Sequence, residues 1–116
     1  MRHQKKKYTL DRKTSAREAL MRTLSISLIK SGKIKTTTAK AKALKSYFEK
    51  IISIASHNTL FYHRQINKIL HNESVAQIVI KKYLPQFTAK KSGHLRLSKI
   101  GYRKGDGAEI TQIEIL

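Results

Sequence analysis

The chain has 116 residues, 40% of them hydrophobic, with no cysteine, no tryptophan and one proline. That suits one domain with a modest aliphatic core and excludes a disulfide framework, a cysteine zinc site and a thiol nucleophile. Twenty-five Lys and Arg stand against seven Asp and Glu, a formal net charge of +18, and such self-repulsion points to a polyanionic partner, nucleic acid before an anionic membrane.

Residues 1–13 read as an extended basic arm: Arg2, His3, Lys5, Lys6, Lys7, Arg12 and Lys13 face one acid, Asp11. With so few apolar residues it is expected to order only against a partner. His3 could stack on a nucleotide or donate to it. No apolar stretch follows these cations, and no run approaches the ~20 residues of a membrane span, so neither a signal peptide nor a span is predicted. Residues 14–116 are expected to form a single α+β domain.

Its first helix is predicted to open on "TSARE", with Ser15 and Glu18 as a capping box. Ala16, Leu20, Leu24 and Leu28 then recur every four residues as a core-facing stripe, flanked by Ala19 and Ile29, with Arg17 and Arg22 off it. Gly32 reads as the helix stop. Lys33–Thr37 is a short strand candidate with Ile34 on one side and Lys33 and Lys35 on the other. Thr37 or Thr38 can cap a second helix, in which Leu44, Tyr47, Phe48, Ile51, Ile52 and Ala55 hold the clearest helical rhythm of the chain. Lys42, Lys45, Ser46, Glu49 and Ser53 form its polar side. A weaker helix at about 59–70 has Tyr62, Ile66, Ile69 and Leu70 as its apolar edge. Another starts at Asn72–Glu73, carries Val75, Ala76, Val79 and Tyr83 as its stripe, and is expected to end at Pro85.

Four of the five glycines follow, in a predicted β-hairpin. One strand covers about His94–Arg103, the other about Glu109–Leu116, and Gly105, Asp106 and Gly107 make the turn. Leu95 and Leu97 share a face, but Ile100 and Tyr102 fall on the opposite one. Either a bulge near Ser98–Lys99 changes the phase, or that end is buried on both sides. Helices packed on one face of a small mixed or antiparallel sheet would bury both apolar surfaces, giving a two-layer α+β fold.

The acids do not suggest catalysis. Glu18, Glu73 and Asp106 are accounted for by a cap, a helix start and a turn, no pair has a general acid–base spacing, and neither G-x-S-x-G nor a Walker loop occurs. His57, His63 and His71 lie six and eight residues apart, which no helical face brings together as metal ligands. No enzyme activity, cofactor, metal or small-molecule substrate is therefore expected.

The cations are concentrated. Residues 1–50 hold fifteen Lys and Arg against Asp11, Glu18 and Glu49, and Lys90, Lys91, Arg96, Lys99, Arg103 and Lys104 cluster in the hairpin and its approach. The second helix begins among lysines, Lys40 and Lys42 with Lys45 a turn on, where the dipole favours acids. A phosphate there would be held by dipole, threonine hydroxyls and lysines together. The candidate RNA-binding set is thus the arm, Arg17, Arg22, Lys33, Lys35, Thr37, Thr38, Lys40, Lys42, Lys45, Arg96, Lys99, Arg103 and Lys104. No helix-turn-helix, RNP aromatic pair or GXXG loop separates RNA from DNA, so a basic DNA-binding or nucleoid-associated protein is the alternative. A membrane-surface binder ranks third, since the apolar stripes are needed for a core.

These residues resemble a known family over nearly the whole chain: bacterial large-subunit ribosomal protein seventeen. The opening matches at Met1, Arg2, His3, Lys5, Leu10, Arg12, Ser15, Arg17, Ala19 and Arg22. "IKTT--KAK-L" matches at Ile34, Lys35, Thr36, Thr37, Lys40, Ala41, Lys42 and Leu44. Gly93 and Arg96 of "SGHLRL", and Arg103, Gly105, Asp106 and Ala108 of "YRKGDGAE", follow in order. The chain departs from the family at His94 and Leu95, where relatives carry Tyr-Thr, and in residues 57–72, which hold only Arg64 and Lys68 as cations. The resemblance implies an α+β structural constituent of the large subunit that binds large-subunit rRNA. It also implies neighbouring ribosomal proteins near the peptide exit tunnel, and a cytoplasmic location in a bacterial ribosome or its organellar counterpart.

Overall fold

The computed structural model describes residues 13–57, 59–89 and 93–116. Apart from Lys13, the expected arm lies outside the described residues, as do Lys90 and Lys91. The element order is α1 (Thr14–Ser31), β1 (Lys33–Thr37), α2 (Thr38–Ala55), α3 (Leu60–Leu70), α4 (Glu73–Ile78), a π-helical turn (Val79–Tyr83), α5 (Leu84–Ala89), β2 (Leu95–Tyr102) and β3 (Glu109–Ile115). The three strands form one sheet in the order β1-β3-β2, antiparallel throughout rather than mixed. This is the expected α+β arrangement of helices against a small sheet.

α1 starts earlier than its capping box requires. Its N-cap is Lys13, without a side-chain cap, so Ser15 is already helical and cannot adopt the extended backbone that capping demands. The inward face is also rotated. Met21, Ser25, Leu28 and Ile29 are buried, Leu20 and Leu24 flank them half-buried, and Ala16 and Ala19 are exposed. Positions 21, 25, 28 and 29 follow the same helical period, and a stripe of leucines alone could not show which edge of the face would turn fully inward.

Gly32 ends α1 as expected. At φ 81° it occupies the left-handed region, and its N–H donates to the Leu28 carbonyl at 2.7 Å. Its own carbonyl accepts from the Ile115 N–H at 2.9 Å, while the buried Tyr83 hydroxyl donates to the Ile29 carbonyl at 3.0 Å. One turn thus joins the end of α1 to β3 and to the π-helical turn. β1 follows at once and runs straight into α2, whose N-cap is Thr37.

α2 supplies the centre of the core. Ala41, Ala43, Leu44, Phe48, Ile51, Ile52 and Ala55 are buried, and Lys42, Lys45, Ser46, Glu49 and Ser53 are exposed. Ile66 and Leu70 of α3, Val75 and Ala76 of α4, Val79, Tyr83, Leu95 and Ile113 close around them. Burying a side chain such as Phe48 contributes about 1.5–3 kcal/mol. α3 and α4 are both capped by side chains, Thr59 accepting from the Tyr62 N–H and Asn72 from the Val75 N–H.

Pro85 does not end the fourth helical segment. The helix widens through Val79–Tyr83, where the Leu84 N–H donates to the Val79 carbonyl five residues back, and continues to Ala89. Pro85 then follows just after the widened turn, which is where the helix takes in a residue that cannot donate.

In the hairpin the phase change is a bulge. Lys99 pairs with Thr111 and Gly101 with Ile110, leaving Ile100 as the extra residue. It lies one residue beyond the predicted place because Gly101, at φ 153°, takes a backbone angle that side-chain-bearing residues rarely adopt. The end is not buried on both sides: Ile100 is 50% and Tyr102 76% exposed. His94 and Leu95 are both buried.

Two stability changes follow. The Ser25 hydroxyl is fully buried and has no hydrogen-bond partner among the described residues. Ser25→Ala should therefore be neutral or stabilising, by up to about 1–3 kcal/mol, seen as a raised midpoint in thermal denaturation; a lowered midpoint would show that the hydroxyl is satisfied. Gly32→Ala has room for a methyl group, its nearest contact being the Tyr83 hydroxyl at 3.9 Å. The left-handed backbone should still cost it roughly 1–2 kcal/mol, read from the same melting curves.

Candidate nucleic-acid interface

The period-2 geometry of the strands sorts the sheet residues between two faces. Ile34, Ile113, Leu95, Leu97 and Ile115 point to the helices and join the core. Among the described residues, no element covers the opposite face. On it Lys33, Glu114 and Arg96 form one row across the three strands, Lys35, Gln112 and Ser98 the next, and Thr37, Ile110 and Gly101 the third. Lys33, Lys35 and Arg96 are exposed and have no ion-pair partner among the described residues, although Glu114 stands between two of them in register.

Thr37 lies on this open face and continues into the start of α2. Its hydroxyl caps nothing, and no acid occupies the first turn of α2. The helix therefore opens with backbone N–H groups that the Thr37 side chain does not cap, beside the half-buried Lys40. Thr38 is used differently. Its hydroxyl shares a 2.7 Å hydrogen bond with Thr111 and donates to the Glu109 carbonyl at 3.3 Å, which anchors α2 to the middle strand. Of the three threonines, Thr37 and not Thr38 is left for an outside ligand, because Thr38 is turned inward.

Lys42 and Lys45 lie on the exposed side of α2, next to β2. With Ser46, Glu49 and Leu97 they line a shallow groove of about 450 Å³. The structure thus places Lys33, Lys35, Thr37 and Arg96 on the open sheet face, and Lys42 and Lys45 on the helix packed against its other face, with Lys40 at that helix's start.

The hairpin cations are partly committed already. Arg103 grips Asp106 with two hydrogen bonds, Nε to Oδ1 at 2.9 Å and Nη2 to Oδ2 at 2.5 Å, and Asp106 Oδ1 also accepts from the Ala108 N–H at 3.2 Å. The Arg103 guanidinium and that N–H hold the Asp106 carboxyl well below the usual carboxylate range. Lys99 Nζ lies 3.2 Å from Glu109 Oε1. Lys104 is exposed and unpaired among the described residues.

Arg17 and Arg22 are not brought to this surface. Arg17 reaches toward the Thr14 hydroxyl at the start of α1. Arg22 lines a separate groove of about 350 Å³ between α1, α2 and α3, with Tyr47, Ile51 and Ile54 in its wall and Lys50 and Lys68 nearby. Burial pushes the Tyr47 hydroxyl above its ordinary pKa, with Arg22 pulling the other way. Sequence reading missed Lys50 and Lys68 as companions of Arg22, because the three belong to different helices. Among the described residues no three His, Cys, Asp or Glu side chains could share a metal, and no helix is long and apolar enough to cross a membrane.

Residues 20–116 match the family model described as ribosomal protein L17. Three relatives named large ribosomal subunit protein bL17 are similar over almost their full length. The protein from Gemmatimonas aurantiaca is 41% identical over 116 residues, covering 100% of this chain and 98% of its own. That of Methylacidiphilum infernorum is 40% identical over 98% of this chain and 87% of its own. That of Carboxydothermus hydrogenoformans is 40% identical over 94% and 97%. With the fold, the basic surface and the match over most of the sequence in agreement, the chain belongs to the ribosomal protein L17 family.

Proposed function

We propose that the protein is a structural constituent of the large ribosomal subunit. It binds large-subunit rRNA through phosphate contacts and stabilises the RNA fold, as an arm of residues 1–13 followed by one rRNA-binding domain over 14–116. Family membership puts it among structural ribosomal components and not enzymes. The observation that carries the phosphate reading is the open sheet face: three exposed cations, Lys33, Lys35 and Arg96, stand around one acid without an ion pair. Like charges held on a rigid sheet repel one another, and an RNA backbone running across them removes that cost. The uncapped start of α2 supports a further phosphate near Thr37 and Lys40. The resemblance to relatives supports neighbours among the large-subunit proteins near the peptide exit tunnel and a place of work in the ribosome of the cytoplasm.

Binding to transcribed large-subunit rRNA should weaken linearly in log K against log salt, with a slope of roughly −0.7 to −0.9 per phosphate neutralised. Replacing Lys33, Lys35 and Arg96 together by glutamine should reduce that slope by about two to three units. An unchanged slope would remove the sheet face from the interface, and salt-independent binding by the unaltered chain would overturn the phosphate reading itself.

The start of α2 gives a second test. Lys40→Glu with Lys42→Glu puts acids where the dipole favours them, so the free protein should be as stable or more stable, by a few tenths of a kcal/mol per site. The same pair should impair co-sedimentation with the large subunit in a gradient. Loss of folding with normal incorporation would make these lysines structural.

A further inference from the structure

Ile100 and Tyr102 are among the few large hydrophobic side chains exposed at the surface, at 50% and 76%. Neither is a flexible ornament. Both belong to β2, and the strand is still paired at Tyr102, opposite Glu109. Beyond it the hairpin is pinned: the Arg103 N–H donates to the Ala108 carbonyl at 2.8 Å, the Gly107 N–H to the Arg103 carbonyl at 2.9 Å, and Arg103 clasps Asp106. By register the bulge at Ile100 sets Tyr102 opposite Glu109, on the same side of the sheet as Thr111 and Leu97, yet the ring stays exposed at this end of the strand. Gly101, between the two, adds no side chain, and no atom lies within 4 Å of the Cβ it lacks. The Tyr102 ring has no aromatic or cation partner among the described residues.

We propose that Tyr102, flanked by Ile100, is a stacking platform for an unpaired base of the RNA. This rests on the rRNA-binding reading above and adds a contact that is not electrostatic. Two observations favour a base over a neighbouring protein. The apolar area is small, on the order of 250 Å² for two partly exposed side chains, against ~800 Å² per partner in a standard protein interface. A cation is also at hand: Lys104, exposed and unpaired among the described residues, lies two residues from Tyr102, whereas Lys99 is paired with Glu109 and Arg96 is on the other face of the sheet. An exposed aromatic face beside a cation is a composition that holds single-stranded nucleic acid, the cation taking a phosphate while the ring takes the base. A tyrosine held on a paired strand also loses little freedom on binding, so most of the stacking energy would appear as affinity.

The test compares full-length Tyr102→Ala, Tyr102→Phe and Lys104→Gln on transcribed large-subunit rRNA over a range of salt. Thermal melting checks that each variant is folded, which the exposure of both residues favours. Tyr102→Ala should weaken binding roughly five- to hundred-fold while leaving the salt slope unchanged. Tyr102→Phe should stay within about two-fold, because the ring is what stacks. Lys104→Gln should do the opposite of Tyr102→Ala, lowering the slope by about 0.7–0.9. Normal affinity of Tyr102→Ala, with salt-dependent binding intact, would overturn the stacking proposal and leave the phosphate reading standing. A loss as large in Tyr102→Phe would make the hydroxyl, and not the ring, the contact. If Tyr102→Ala bound RNA normally yet failed to enter the subunit, the platform would belong to a protein neighbour and the proposal would fall.

Discussion

The geometry of this protein depends on a five-residue strand with almost no slack at either end. Gly32 alone separates β1 from α1, and nothing separates it from α2. Once β1 pairs with the middle strand β3, both long helices are placed. The hydrogen bonds at its two ends, Gly32 with Ile115 and Thr38 with Thr111, hold that arrangement. The same pairing turns Ile34 toward the core and Lys33 and Lys35 away from it. Packing and charge display are thus one decision, since a slip of a single residue would bury the lysines and expose the isoleucine.

The surface charge is divided between two uses. Arg103 and Lys99 are neutralised within the hairpin by Asp106 and Glu109. Exposed pairs of this kind add little global stability, but a two-pronged clasp fixes the shape of a tight turn. Lys33, Lys35, Lys42, Lys45 and Arg96 have no such partner among the described residues and remain available to phosphates. A frame that holds these cations apart is stable alone only because water and salt screen them.

Most of the fold was legible from local pattern. The rhythm of α2 from Leu44 to Ala55, the stop at Gly32, the strand at 33–37 and the turn at 105–107 all depend on neighbours in sequence, and all are found in the structure. The misreadings share one cause. Ser15 and Glu18 have capping-box spacing, yet the helix begins at Thr14. Pro85 has the chemistry of a terminator, yet a π-helical turn in front of it lets the helix continue. In each case the chain just before the signal, Lys13 as N-cap and the turn at Val79–Tyr83, decided the outcome. The candidate site shows the same division: the abundance of lysine was plain, but Thr38 cannot be distinguished from Thr37 until Thr111, 73 residues later, is seen to take its hydroxyl.

The sequence by itself determined the excess of positive charge and the inventory of elements, because net charge, hydrophobic period and turn chemistry are properties of short segments. It also carried the family resemblance through motifs in a set order. Only the tertiary structure decided which cations lie together. Lys33 and Arg96 are 63 positions apart in the chain and share a row solely because β3 lies between their strands. It likewise separated Arg22 from that surface and, through the bulge at Ile100, set Tyr102 opposite Glu109. Strand register is a long-range choice made by the whole core, so no local stretch of residues could have announced it.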